Sequence, residues 1–136
     1  MIEDDAGLRR LLEQTRTIAI VGLSANPDRP SNEVAQYLRR AGYTIVPVNP
    51  AATEILGEKC YPSLREVPVP IDMVDVFRKP EDVMPIVDEA IAIGAKSLWL
   101  QLEVIVPEAV KRAEAAGLQV VMDHCTKIEH RRLLAG

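Results

Sequence analysis

Five short apolar runs recur along this chain: TIAIVG (17–22), TIVPVN (44–49), IDMVDVF (71–77), SLWLQ (97–101) and LQVVMD (118–123). Amphipathic stretches bounded by proline and glycine separate them. The runs are too short for buried helices. They lack the apolar–polar alternation of a half-exposed strand, so both faces must be covered. Strands separated by helices pair in parallel, with the helices packed on both sides of the sheet. The chain therefore reads as α/β, a Rossmann-like doubly wound parallel sheet in a single domain over residues 1–136, with expected strand order 3-2-1-4-5.

The intervening segments carry helix signals. AGLRRLLEQT (6–15) places Leu8, Leu11 and Leu12 on one stripe. After the first strand, Pro30 restrains the chain, Ser31 or Asn32 can cap a helix, and Val34, Ala35, Leu38 and Ala41 mark its buried face. Gly42 ends that helix, with Arg39 and Arg40 in its last turn, where cations suit the dipole. ILGEKCYPSL (55–64) reads as a turn, a short extended piece and a helical turn running to Val67. Pro80 opens a helix with Val83, Ile86, Val87, Ala90 and Ile91 inward, stopped by Gly94. Pro107 opens another, with Val110 and Ala113 inward, stopped by Gly117, and CTKIEHRRLL forms a terminal amphipathic helix.

Composition narrows the function classes. At 48% apolar and 26% charged residues, the chain can bury one core and is not disordered. Its net charge of −4 supplies no global field for nucleic acid, so any anion site must be a local cluster of cations. No apolar run approaches the ~18 residues of a membrane span. The start, MIEDDAG, is acidic and lacks the apolar segment of a secretory signal. Two cysteines, Cys60 and Cys125, are too few for a disulfide framework. A cytoplasmic location with reduced thiols is expected.

In such a sheet the ligand crevice lies beyond the carboxyl ends of the strands. The first strand is followed by Gly22-Leu23-Ser24-Ala25-Asn26-Pro27-Asp28-Arg29-Pro30-Ser31. Gly22 lets backbone approach a ligand. Ser24, Ser31 and Asn32 can donate to phosphate oxygens, and Arg29 offers a charge-assisted contact beside a helix N-terminus. An ordinary capped surface loop would look similar. The second strand ends in Asn49-Pro50, without the acid that takes the ribose hydroxyls of NAD. Phe77-Arg78-Lys79-Pro80 brings two cations to a helix N-terminus, an unfavourable place for them unless an anion joins. Gln101 provides a neutral amide at the fourth strand end, and Trp99 reads as core. The last strand runs into Asp123-His124-Cys125-Thr126-Lys127-Ile128-Glu129-His130. That spacing matches no compact metal pattern, so no metal is expected. Cys125 near a helix start leaves a reactive thiol open, and Cys60 reads as inert.

IAIVGLSANPDRPSNEVAQYLRRAGYTIVPVNP, then ILGEKCYPSL, VDVFRKPE, GAKSLWLQ and VVMDHCTKIEHRRL, resemble the small stand-alone CoA-binding proteins of bacteria and archaea. These are similar to the CoA-binding domain of the succinyl-CoA synthetase alpha subunit. The resemblance spans about residues 6–134 and implies a Rossmann-like fold with coenzyme A as ligand. It implies that the Gly22–Ser24 turn, Arg29 and the Ser31–Asn32 helix start face phosphates. Asn49 and Pro50 would line the nucleotide pocket, and Phe77, Arg78, Lys79 and Pro80 would flank the adenosine end or a phosphate. The 3′-phosphate on the ribose of CoA accounts for the missing acid after the second strand. This chain departs from the family at Glu103, where glycine is common, and at His124, where arginine is common.

The expected function is binding of CoA or an acyl-CoA, without catalysis of its own. An acyl or thiol transferase using Cys125 and an NAD(P)-binding oxidoreductase are the alternatives. No nucleic acid or membrane partner is expected, and a homo-oligomer or protein partner is compatible with such a module.

Overall fold

The computed structural model describes residues 1–135. Its helices are α1 (Asp5–Gln14), α2 (Pro30–Arg40), α3 (Val83–Ala92), α4 (Pro107–Ala115) and α5 (Thr126–Leu133). Its strands are β1 (Thr17–Val21), β2 (Thr44–Val48), β3 (Glu54–Ile55), β4 (Glu58–Lys59), β5 (Met73–Val76), β6 (Ser97–Leu100) and β7 (Gln119–Val121). Single turns of 3-10 helix cover Leu64–Glu66 and Pro80–Asp82. The second of these takes up Pro80, so the α-helix begins only at Val83. Helices α2, α3 and α4 end two residues before Gly42, Gly94 and Gly117, as the stop signals predict. Ala41 is exposed rather than inward, because it caps α2 where the chain already turns.

The five long strands form one parallel sheet in the order β2-β1-β5-β6-β7. Counted among these five, the order is 2-1-3-4-5, not the expected 3-2-1-4-5. The third strand pairs directly with β1 because the outer edge of β2 is taken by the segment that follows it. Tyr61 N–H donates to Pro47 O (3.0 Å), and Asn49 N–H donates to Tyr61 O (2.9 Å). Pro47 fits there, since its backbone turns toward the edge, where only a carbonyl is used. The short β3–β4 hairpin leads into this contact. At the opposite edge, Ile2 N–H donates to Val120 O (2.8 Å). Both sheet edges are thus partly paired by chain ends or loops, which limits pairing with other molecules.

Successive strand residues feed two cores. Ala19, Val21, Val46, Val48, Val74, Val76, Leu98 and Leu100 pack toward α3 and α4. Ile18, Ile20, Ile45, Met73, Trp99 and Val121 face the layer of α1, α2 and α5. Trp99 is fully buried, and its indole N–H donates to His124 O (2.8 Å). This second layer carries α5 across the end of β5 and β6, where the candidate site lies.

Candidate functional site at the carboxyl edge of the sheet

Three clefts meet along the carboxyl ends of the strands. One of about 300 Å³ lies over the first turn, between Gly22, Ser24, Arg29, Ser31 and Phe77. The largest, about 620 Å³, runs from Pro30 and Phe77 past Lys79 to Gln101 and Cys125. A third of about 260 Å³ lies between Val48, Pro50 and Arg78. Pro30 and Phe77 border the first two clefts, and Arg78 borders the second and third. The three therefore join into one trough around Phe77-Arg78. Gly22, Ser24, Arg29, Ser31, Pro50, Phe77, Arg78, Lys79, Pro80 and Gln101 all line it.

The remaining two residues singled out from the sequence, Asn32 and Asn49, hold the loops in place. Asn32 Nδ2 donates to Ser24 O (2.8 Å), and its Oδ1 accepts from Gln36 Nε2 (2.7 Å). Asn49 Nδ2 donates to Leu23 O (2.9 Å), and its Oδ1 accepts from Ala51 N–H (2.9 Å). The expected helix cap at Ser31 or Asn32 is corrected. Pro30 takes the first helical position, so the cap falls on Arg29, and both side chains turn back onto the loop. Ser31 Oγ accepts from Ser24 N–H (3.0 Å), which leaves its own hydroxyl hydrogen for the trough.

Gly22 has a φ of +86°, and a Cβ there would lie 2.3 Å from Phe77 O. Its need for glycine thus comes from the crossing of two strand-end turns. Among the described residues, Arg29 and Lys79 make no ion pair, whereas Arg78 pairs with Asp82 (3.2 Å). The trough therefore carries two unpaired cations, Arg29 and Lys79, alongside the carboxylates Glu81, Asp82, Glu89 and Glu103. No group of three His, Cys, Asp or Glu side chains among the described residues is disposed to hold a metal ion.

Beneath the large cleft lies a polar cluster of which the sequence reading singled out only Gln101. Asp75, fully buried in β5, accepts from Gln101 Nε2 at Oδ1 (2.6 Å) and from Thr126 Oγ1 at Oδ2 (3.0 Å). Gln101 Nε2 also reaches Thr126 Oγ1 (3.0 Å). Burial pushes the Asp75 carboxyl up to about 7, against the opposing pull of these two hydrogen bonds. The available signal was an acid in mid-strand, between Val74 and Val76.

A family of CoA binding domains matches residues 16–131. The chain belongs to this family. It is 39% identical to the uncharacterized protein YneT of Bacillus subtilis, over 92% of this chain and 93% of that protein. A hypothetical protein from Pyrococcus horikoshii superposes with a TM-score of 0.94 at 44% identity, covering 97% of this chain and 93% of that one. Acetate–CoA ligase (ADP-forming) I of Archaeoglobus fulgidus is 28% identical over 81% of this chain, which corresponds to only 18% of the ligase.

The two departures from the CoA-binding family pattern have local structural context. Glu103 has a φ of +68°, a conformation that favours glycine, and its N–H donates to Asp123 Oδ1 (2.7 Å). Asp123 itself has a φ of +63°. His124 Nδ1 lies 3.3 Å from Glu129 Oε1, and Glu129 Oε2 pairs with Arg132. His130 Nδ1 is paired with the Tyr37 hydroxyl (2.8 Å), and burial lowers its pKa. Burial raises the Cys60 thiol, which donates to Asn49 O (3.4 Å), consistent with an inert role. Cys125 is half-buried on the wall of the large cleft. No helix among the described residues is long and apolar enough to cross a membrane.

Proposed function

We propose that the chain binds coenzyme A along the trough and catalyses no reaction of its own. The observation that carries this reading is the joining of three clefts at Phe77-Arg78, at the strand carboxyl ends of a CoA-binding-family domain. A ligand of this kind has an anionic nucleotide end and a long, less polar arm. The small cleft, with Arg29, Ser31 and the start of α2, suits phosphate groups. The large cleft has apolar walls at Val34, Phe77, Leu102 and Val104, which suit the arm. Pro30 and Phe77 border both clefts, and Arg78 and Lys79 line the large one. Asn49 at the end of β2 donates and accepts within the loops and adds no negative charge to repel a ribose phosphate.

The thiol of Cys125 lines the arm's cleft, which keeps a transferase as the second reading. Against it, the Cys125 thiol makes no hydrogen bond to either His124 or His130 among the described residues, so no base is seen in place beside it.

Calorimetric titration of CoA, dephospho-CoA and NAD into the wild type and Arg29→Ala tests the proposal. CoA should bind most tightly, dephospho-CoA more weakly and NAD weakest. Removing the Arg29 guanidinium should cost about tenfold in CoA affinity, the size of one charge-assisted hydrogen bond. No binding of CoA, or preference for NAD, would overturn the reading. A turnover with acyl-CoA that survives Cys60→Ser but not Cys125→Ser would instead favour the transferase.

A further inference from the structure

Gln101 is only 4% exposed, yet it borders the large cleft. Both hydrogen bonds of its side chain run inward from Nε2, to Asp75 and Thr126. Its Oε1 has no hydrogen-bond partner among the described residues, and it is not among fully buried polar atoms lacking one. That oxygen therefore reaches the cleft as an unpartnered acceptor. Turning the amide over would set Gln101 Oε1 against Asp75 Oδ1, two oxygens 2.6 Å apart. That excludes the turned amide while Asp75 is ionised, the prevailing state at pH 8, whereas a protonated Asp75 Oδ1 could donate to the turned Oε1. Thr126 opens α5 and is fully buried, so the inner end of the amide is fixed by two different elements.

An acceptor fixed in this way selects a ligand that brings a hydrogen. The cleft it borders carries Arg78, Lys79 and Glu103 as well as the apolar side chains Val34, Phe77, Leu102 and Val104, and this apolar part of the lining suits a donor carried on an aliphatic chain. Arg29 lines the adjoining cleft over the first turn and not the cleft that Gln101 borders. We infer that Gln101 Oε1 accepts an amide N–H from the pantetheine arm of CoA and is aimed by Asp75 and Thr126. This rests on the proposed CoA binding. Gln101 becomes a specificity-determining residue, and Asp75 and Thr126 become positioning residues.

The test uses titration calorimetry at pH 8 with the full chain. The ligands are CoA, 3′-phospho-ADP, which lacks the arm, and two CoA analogues each N-methylated at one arm amide. Gln101→Met keeps the length of the side chain and removes the acceptor. It should weaken CoA roughly three- to tenfold and leave 3′-phospho-ADP unchanged. One N-methylated analogue should show a similar loss on the wild type and no further loss on Gln101→Met. Thr126→Val, which frees the amide without deleting it, should weaken CoA less. Equal losses for CoA and 3′-phospho-ADP would mean that Gln101 serves the nucleotide or the fold, and would overturn the inference. So would a wild type indifferent to methylation at both amides, a measurement independent of whether any variant folds. Failure of the wild type to bind CoA at all would overturn the proposed function itself.

Discussion

At the scale of single residues, the most consequential feature is an acid buried where a strand is otherwise apolar. Asp75 is satisfied by Gln101 and Thr126, but it is held away from water, which favours its protonated form. The unfolded chain releases this proton near the ordinary carboxylate value of 3.8, and the folded chain near 7. Between those values the folded state binds more protons, so its stability falls as pH rises, and the loss is complete above about 7. Urea unfolding of the wild type and Asp75→Asn from pH 4 to 8 should show the wild type gaining on the variant as pH falls. The slope should not exceed about 1.4 kcal/mol per pH unit, the limit for one proton. A difference flat in pH would mean that Asp75 keeps an ordinary titration. Gly22 is a second residue-scale constraint. Alanine there meets Phe77 O and an unfavourable φ together. Gly22→Ala should cost on the order of 3 kcal/mol, seen as a melting temperature lower by roughly 10 °C.

At the scale of elements, α5 matters most because it closes the site from one side. Its first residue, Thr126, belongs to the cluster under the cleft, and its cap, Cys125, is on the cleft wall. The helix is fastened through Glu129, a buried acid whose oxygens face His124 and Arg132, while Arg132 also forks onto Asp5 of α1. Glu129→Gln should cost about 1–2 kcal/mol and lower the melting temperature by roughly 5 °C. Because α5 carries the wall of the large cleft, the same variant should also weaken binding of CoA more than binding of 3′-phospho-ADP. Thermal melts and paired titrations measure the two effects. Equal binding losses for both ligands would uncouple α5 from the arm.

At the scale of the whole molecule, the trough crosses the carboxyl edge of the sheet and draws on loops far apart in sequence. A ligand filling it joins the turns after β1 and β5 to the start of α5. Binding to the folded state alone should raise the melting temperature. At a CoA concentration about a hundredfold above its Kd, the stabilisation is about 2.7 kcal/mol, a rise of roughly 10 °C. Scanning calorimetry with CoA and with NAD at equal concentration checks this. A rise of equal size with NAD would remove the preference argued from the end of β2.

The sequence by itself determined the alternation of strands and helices, because uninterrupted apolar runs and proline and glycine punctuation are local signals. The position of the candidate site was argued from chain direction, since a parallel sheet gathers every strand's carboxyl end at one edge. The order of the strands was decided only by tertiary structure. TIVPVN does not announce that Tyr61 will cover its outer edge and leave β5 beside β1. The division of labour within the loops was likewise hidden. Asn32 and Asn49 have the donors of a ligand site, but only the folded turns engage them with Ser24, Gln36, Leu23 and Ala51. Asp75, Gln101 and Thr126 lie on β5, in the loop after β6 and on α5, separated by as many as 51 positions, and nothing local ties them together. Periodicity is fixed by neighbours along the chain, whereas hydrogen-bond partners are fixed by which elements the core brings within 3 Å of one another.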